Sequence, residues 1–256
     1  MFYGHEDKRK LFCRLAESDS LSHAYLFYGY SGIGKFQFAR ALASFLESGK
    51  FDFSPLGEEA PLIDSRIFLP DEKGKIGVDA AREVKSFLFG KPFKSPKRLA
   101  IIRDAETLTP EAESAFLKIV EEPPENAMII FIAQDVRVLF APLRSRLTQV
   151  YFRSFSASEI KKFLMERYKI SESKAEEIAR MSFNRIGRAV NLVGKTNEEK
   201  DDELLTDLSN EIISLYFKGV LKNSRILSIL MERELAIQRY NLNQNLQRKA
   251  IEYILR

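Results

Sequence analysis

The chain carries Gly29-Tyr30-Ser31-Gly32-Ile33-Gly34-Lys35, the spacing G-x-x-x-x-G-K. Glycines let the backbone curl until amide N–H groups point inward. A helix starting just after them adds the positive end of its dipole, and the lysine supplies a point charge. These groups together bind phosphate, so Gly29, Ser31, Gly32, Gly34 and Lys35 form a candidate phosphate loop. The Ser or Thr that normally closes the motif holds Mg²⁺ through its hydroxyl; here it is Phe36, which cannot ligate a metal. A nucleotide-hydrolysing site of this kind also needs an acid near the end of a second strand to hold the metal, and a further group to orient water. The relevant stretch reads Ile101-Ile102-Arg103-Asp104-Ala105-Glu106-Thr107. Its nearest alignment puts Arg103 at the metal-holding position and Asp104 at that of the catalytic acid; a looser one uses Asp104 and Glu106, with Ala105 between them. An arginine beside Mg²⁺ would repel it. Two independent departures in one chemistry argue against ATP hydrolysis by this chain. No metal site is expected, no cofactor is required, and any ATP or ADP in the loop would be weakly held.

The elements that must position these residues follow from the apolar pattern. Ala24-Tyr25-Leu26-Phe27-Tyr28, Leu99-Ala100-Ile101-Ile102 and Ala127–Ala133 are short uninterrupted apolar runs, and Val150-Tyr151-Phe152 is a fourth candidate. Such runs between helices predict a parallel sheet covered on both faces. Phe38, Ala39, Leu42, Phe45 and Leu46 share one helical face after the loop. Thr109-Pro110 suits an N-cap followed by a first helical residue, and Pro123-Pro124 ends that helix. After Phe152 the pattern is helical only, with a start at Ser156–Glu159 and an amphipathic stretch from Glu172 to Met181. A charged stretch, Lys195 to Glu203, precedes a tail whose apolar residues recur at helical spacing. The expected organisation is an α/β domain over 1–153, a small helical domain over 154–196 and a helical segment over 200–256.

The 256 residues include 40 Lys and Arg against 36 Asp and Glu, a net charge of +4, so a nucleic-acid role would have to come from clustered charge. One cluster exists: Arg137, Arg144, Arg146 and Arg153, with no acidic residue from Val136 to Ser158. The single cysteine, Cys13, makes no internal disulfide and reads as a small buried residue of an N-terminal helix. His5 and His23 are isolated, which favours structural roles, and most of the 20 phenylalanines read as core. No signal-peptide pattern and no membrane-length apolar run is visible, so a cytoplasmic location away from membranes is expected.

Several ordered blocks carry a resemblance. Leu21-Ser22-His23-Ala24-Tyr25-Leu26-Phe27 leads into the phosphate loop, Leu117-Lys118-Ile119-Val120-Glu121-Glu122-Pro123-Pro124 follows, and then Ala141-Pro142-Leu143-Arg144-Ser145-Arg146. Over about residues 1–195 the chain resembles the AAA+ clamp-loader family of bacterial DNA polymerase III, and within it the delta prime subunits. The resemblance implies an AAA+ P-loop domain with a parallel sheet, a helical lid and a short collar-like helical tail, truncated relative to the family. It implies a stator in a heteropentameric loader that does not itself hydrolyse ATP, with an active ATPase subunit of the gamma/tau type, or another AAA+ ATPase, as the alternative. The implied partners are gamma/tau and delta subunits, the sliding clamp (beta), and primer-template DNA within the assembled loader. It also implies that Arg146, with Ser145, acts in trans as an arginine finger on a neighbour's ATP, which would leave Arg146 free of an internal acidic partner. The family's S-R-C block ends here in Leu147, no cysteine of its zinc module occurs from Glu47 to Pro61, and Gly187 stands at the sensor-2 arginine position with Arg188 one residue late.

Overall fold

The computed structural model describes residues 3–51 and 62–194. The helical tail expected over 200–256 lies outside the described residues, as do 195–196 at the end of the expected lid. Two compact units are present.

The first unit runs to Ser156 and takes back the short segment Asn184–Gly187. Its order is α1 (Glu6–Glu17), β1 (Ala24–Tyr28), α2 (Lys35–Ser48), β2 (Ser65–Phe68), α3 (Val78–Leu88), β3 (Arg98–Ile102), α4 (Pro110–Glu121), β4 (Ala127–Ala133), α5 (Ala141–Arg144) and β5 (Thr148–Tyr151). A 3₁₀ turn, Ala105–Thr107, leads from β3 towards α4. The five strands form one sheet in the order β2-β3-β4-β1-β5, and every pair is parallel. Both faces are buried, which is why β1, β3 and β4 read as continuous apolar runs. Successive side chains point to opposite faces. Leu26, Ala100, Ile102, Ile129 and Phe131 pack with α3 and α4, while Tyr25, Phe27, Leu99, Ile101, Met128 and Ile130 pack with α1 and α2. On the second face Phe12, Phe27, Phe38 and Phe152 form an edge-to-face cluster, with ring centroids 5.4 Å apart for Phe12–Phe38 and 5.2 Å for Phe38–Phe152.

β2 is an edge strand whose middle residues are exposed, so Ser65–Phe68 lacks the apolar run that marks the others. The second unit holds α6 (Ala157–Tyr168), α7 (Glu172–Met181) and the larger part of α8 (Ile186–Gly194). Among its described residues Ile160, Leu164, Ala175, Ile178, Ala179 and Ala189 are buried.

Local polar anchoring holds the edge of the sheet. Asp64, at the entrance to β2, is fully buried, and its carboxylate accepts the N–H groups of Phe93 (2.8 Å), Lys94 (2.6 Å) and Ser95 (2.8 Å). Burial pushes this carboxyl up. The three backbone N–H groups and the Arg98 charge outweigh it and hold its pKa below the ordinary aspartate value. Glu47 in turn accepts the N–H groups of Ile63 (3.0 Å) and Asp64 (2.8 Å).

Asp64→Ala should leave three backbone donors without their acceptor and destabilise the first unit by about 1–3 kcal/mol, the cost of the one buried donor, that of Ser95, left unmade. A depressed native pKa means that the stabilisation is complete above the unfolded value, ~3.9, and is lost as pH falls through the native one. Urea midpoints measured from neutral to acid pH should therefore converge for wild type and Asp64→Asn as pH falls below about 4.

Candidate functional site

Polar chemistry gathers where β1 and β3 end. Gly29 closes β1 at φ 138°, and its N–H donates to Gln134 O at 3.2 Å. A Cβ there would stand 2.3 Å from Phe152 O, so only glycine lets the loop leave the sheet at this point. Gly34, at φ 94°, starts α2. Gly32 O accepts the N–H of Gly187 at 2.8 Å, so Gly187 meets the loop through its backbone.

Lys35 is buried, and its ammonium is spent on its own loop: Nζ donates to Gly29 O at 2.5 Å and to Tyr30 O at 2.7 Å. Burial lowers its pKa to about 8, and the nearby carboxylates of Glu106 and Asp104 only partly restore it. The structure thus brings together the loop lysine and both acids of the looser alignment. It adds a contact that the sequence did not reveal. The Arg103 guanidinium lies 4.9 Å from the centre of the Phe36 ring, a cation–π pair, and Arg103 Nε is 3.6 Å from Asp104 Oδ2. The two departures from the metal-holding pattern therefore form one unit. A fixed cation beside Asp104 and an aromatic face in place of a hydroxyl do not fit Mg²⁺. Among the described residues no group of three or more His, Cys, Asp and Glu side chains is arranged to hold a metal ion.

The arginine turn is braced by α4. Thr109 caps this helix, accepting the Ala112 N–H at 3.2 Å, with Pro110 as its first residue. Glu113, buried on α4, accepts the Phe140 N–H at 2.8 Å through Oε2 and so fixes the residue that leads into α5. Burial pushes the Glu113 carboxyl up, and the Phe140 bond only partly counters it. The end of α4 is held by His23, whose ring Nε2 lies 3.0 Å from Val120 O. After α5, Ser145 Oγ donates to Pro142 O at 2.9 Å and Leu147 is buried in the core, so leucine fits where the family has cysteine.

Arg146 corrects one expectation: it has an internal acidic partner. Its Nη2 lies 2.6 Å from Glu121 Oε1, and Nη1 donates to Pro142 O at 3.0 Å. The cause is tertiary. The last residue of α4 comes to rest beside the α5 turn, a proximity that sequence spacing does not encode. The arginine-rich stretch is likewise divided among local partners, with Arg137 on Asp135 at 2.7 Å and Arg153 on Ser154 O at 3.1 Å. His5 and His23 are structural, as expected, each with Nε2 at a backbone carbonyl. Cys13 is half-buried, less than expected.

Among the described residues no helix is long and apolar enough to cross a membrane. The sequence matches the protein family described as DNA polymerase III, delta subunit, over residues 4–156. It is 31% identical to DNA polymerase III subunit delta' of Bacillus subtilis, over 81% of this chain and 62% of that protein. It is 28% identical to the gamma/tau subunit of Mycoplasma pneumoniae, over 64% of this chain and 25% of that protein. The chain thus spans 25% to 36% of the length of the gamma/tau relatives and 62% of the delta' relative. A solved structure of the RuvB Holliday junction branch migration motor from Thermotoga maritima shares the fold at TM-score 0.52 and 14% identity, covering 97% of this chain and 82% of that one. The parallel sheet with a phosphate loop at the end of β1 is an AAA+ P-loop domain. The chain belongs to the DNA polymerase III delta-subunit family, among the clamp-loader subunits.

The buried lysine gives a test of the loop. The unfolded chain keeps the Lys35 proton up to ~10.4, whereas the native chain releases it near the lower value, so this group makes the protein more stable as pH rises between them. The Lys35→Met variant should lack that rise. Urea midpoints at pH 7.5 and 9.5 should show wild type gaining on the variant at the higher pH.

Proposed function

We propose that this chain is a stator of the clamp loader: it does not hydrolyse ATP itself and supplies Arg146 in trans to a neighbouring subunit's ATP. The observation that carries the proposal is the Arg103 guanidinium resting on the Phe36 ring, where a hydrolysing site would hold Mg²⁺ between a hydroxyl and a carboxylate. Lys35 points the same way, since its charge is already satisfied by loop carbonyls. Its partners in this role are gamma/tau and delta subunits, the sliding clamp, and primer-template DNA within the assembled loader, in the cytoplasm. Residues 154–196 serve as the lid and 200–256 as the collar-like segment. An active gamma/tau-type ATPase is the second reading, favoured by the loop spacing, intact through Lys35, and by the likeness to gamma/tau relatives.

The isolated chain should show no Mg²⁺-dependent ATP turnover above background. Turnover abolished by Lys35→Ala would establish the second reading instead. In a loader reconstituted with gamma/tau and delta, Arg146→Ala should lower DNA-stimulated ATP hydrolysis. The loss should fall short of the ~10³–10⁵ of a complete arginine finger, because other sites in the ring keep their own. The isolated variant should lose no more than about 1 kcal/mol, the worth of a surface ion pair. Arg146→Lys should also be impaired, because lysine lacks the planar fork. Unchanged ATPase and unchanged clamp loading in Arg146→Ala would refute the trans role.

A further inference from the structure

We propose that Glu121 is a positioning residue for Arg146, holding the guanidinium plane ready for a neighbour's phosphates. The inference rests on the trans role proposed above. A glutamate in the last turn of a helix is on the wrong end of the macrodipole, which favours cations there. Glu121 is the last residue of α4, and Glu122 follows it. Helix stability therefore gives no reason for the carboxylate; a cation docked against it does. That cation is Arg146, and it is held from two directions. Glu121 Oε1 meets Nη2 at 2.6 Å from the end of α4, and Pro142 O accepts from Nη1 at 3.0 Å from α5.

An ion pair from α4 and hydrogen bonds from Nη1 to Pro142 O and, at 3.4 Å, to Ser145 Oγ together fix the position of a planar fork. Among the described residues nothing accepts from Nε, so that edge of the fork is left for an incoming oxygen. Both side chains are partly exposed, 43% for Arg146 and 38% for Glu121, so the pair is accessible while it is ordered. The supports are themselves anchored: Glu113 holds the Phe140 N–H at the start of the α5 turn, and His23 holds Val120 O beside Glu121. An arginine fixed in this way loses less conformational freedom when it meets a phosphoryl group than one swinging free.

The test is a double-mutant cycle in the loader reconstituted with gamma/tau and delta, using Glu121→Ala, Arg146→Ala and both together, read as DNA-stimulated ATP hydrolysis. Glu121→Ala should lower kcat by ~3- to 10-fold at the site that Arg146 serves, with a smaller change in KM for ATP. In the Arg146→Ala background the same change should have no further effect. Glu121→Gln keeps an oxygen acceptor and should recover part of the rate. Assembly should match wild type in all variants, and no thermal midpoint should fall by more than the few degrees that a surface ion pair is worth. Three results would overturn the inference: an unchanged rate in Glu121→Ala while Arg146→Ala is impaired, an equal loss in the Arg146→Ala background, or a faster rate in Glu121→Ala, which would make the carboxylate a competitor of phosphate. An unimpaired Arg146→Ala would instead remove the trans role itself.

Discussion

A parallel sheet buried on both faces has nowhere to place polar chemistry except at the ends of its strands. That constraint organises the first unit. β1 and β4 are apolar along their length and β3 from Leu99 onward, and the groups of the candidate site are held at or beyond the point where a strand stops: the glycine loop after β1, Arg103 and Asp104 after β3, and the arginine turn between β4 and β5. Gly29 shows how tight the exit is, because its neighbour is the backbone carbonyl of Phe152 that leads out of β5. The sheet fixes these exits relative to one another through its register, with Tyr28 beside Ala133 on one side and Tyr151 on the other.

At those exits the chain consistently satisfies its polar groups from within. Lys35 is turned onto loop carbonyls, Arg103 onto an aromatic ring and a neighbouring carboxylate, Arg137 onto Asp135 and Arg146 onto Glu121. The degree of closure differs. Lys35 is buried and desolvated, whereas the Arg146 pair stays partly open to solvent. A buried, self-satisfied cation is costly to redirect; a surface pair worth about 0–1 kcal/mol can be redirected by a stronger anion.

Much of this was legible in the residues because it depends on local rules. The glycine spacing, the Thr109-Pro110 helix start and the three apolar strands are each a pattern within a few residues, and each stands where expected. β2 was not legible, because an edge strand with exposed middle residues has neither an apolar run nor clean alternation. The helix α3 went unread although Ala81, Val84 and Leu88 mark its buried face, a signal that was present in the spacing. At the site, Phe36 and Arg103 were each recognisable as misfits, but their stacking was not, since it depends on tertiary placement: the residues that follow β1 and β3 meet although β4 lies between those strands. The Glu121–Arg146 pair and the Glu113–Phe140 bond are hidden for the same reason.

The stacked Phe36 and Arg103 also bear on how such a chain can change over generations. Replacing Phe36 with a hydroxyl residue would strip Arg103 of its platform and leave a positive charge where a metal would sit. Replacing Arg103 with an acid would leave a carboxylate facing an aromatic ring that offers no second ligand. Either step alone disturbs a settled contact without creating a metal site, and only the pair of steps could do so, because contacting residues do not act independently. The two positions are therefore coupled: what a substitution at one does depends on which residue stands at the other.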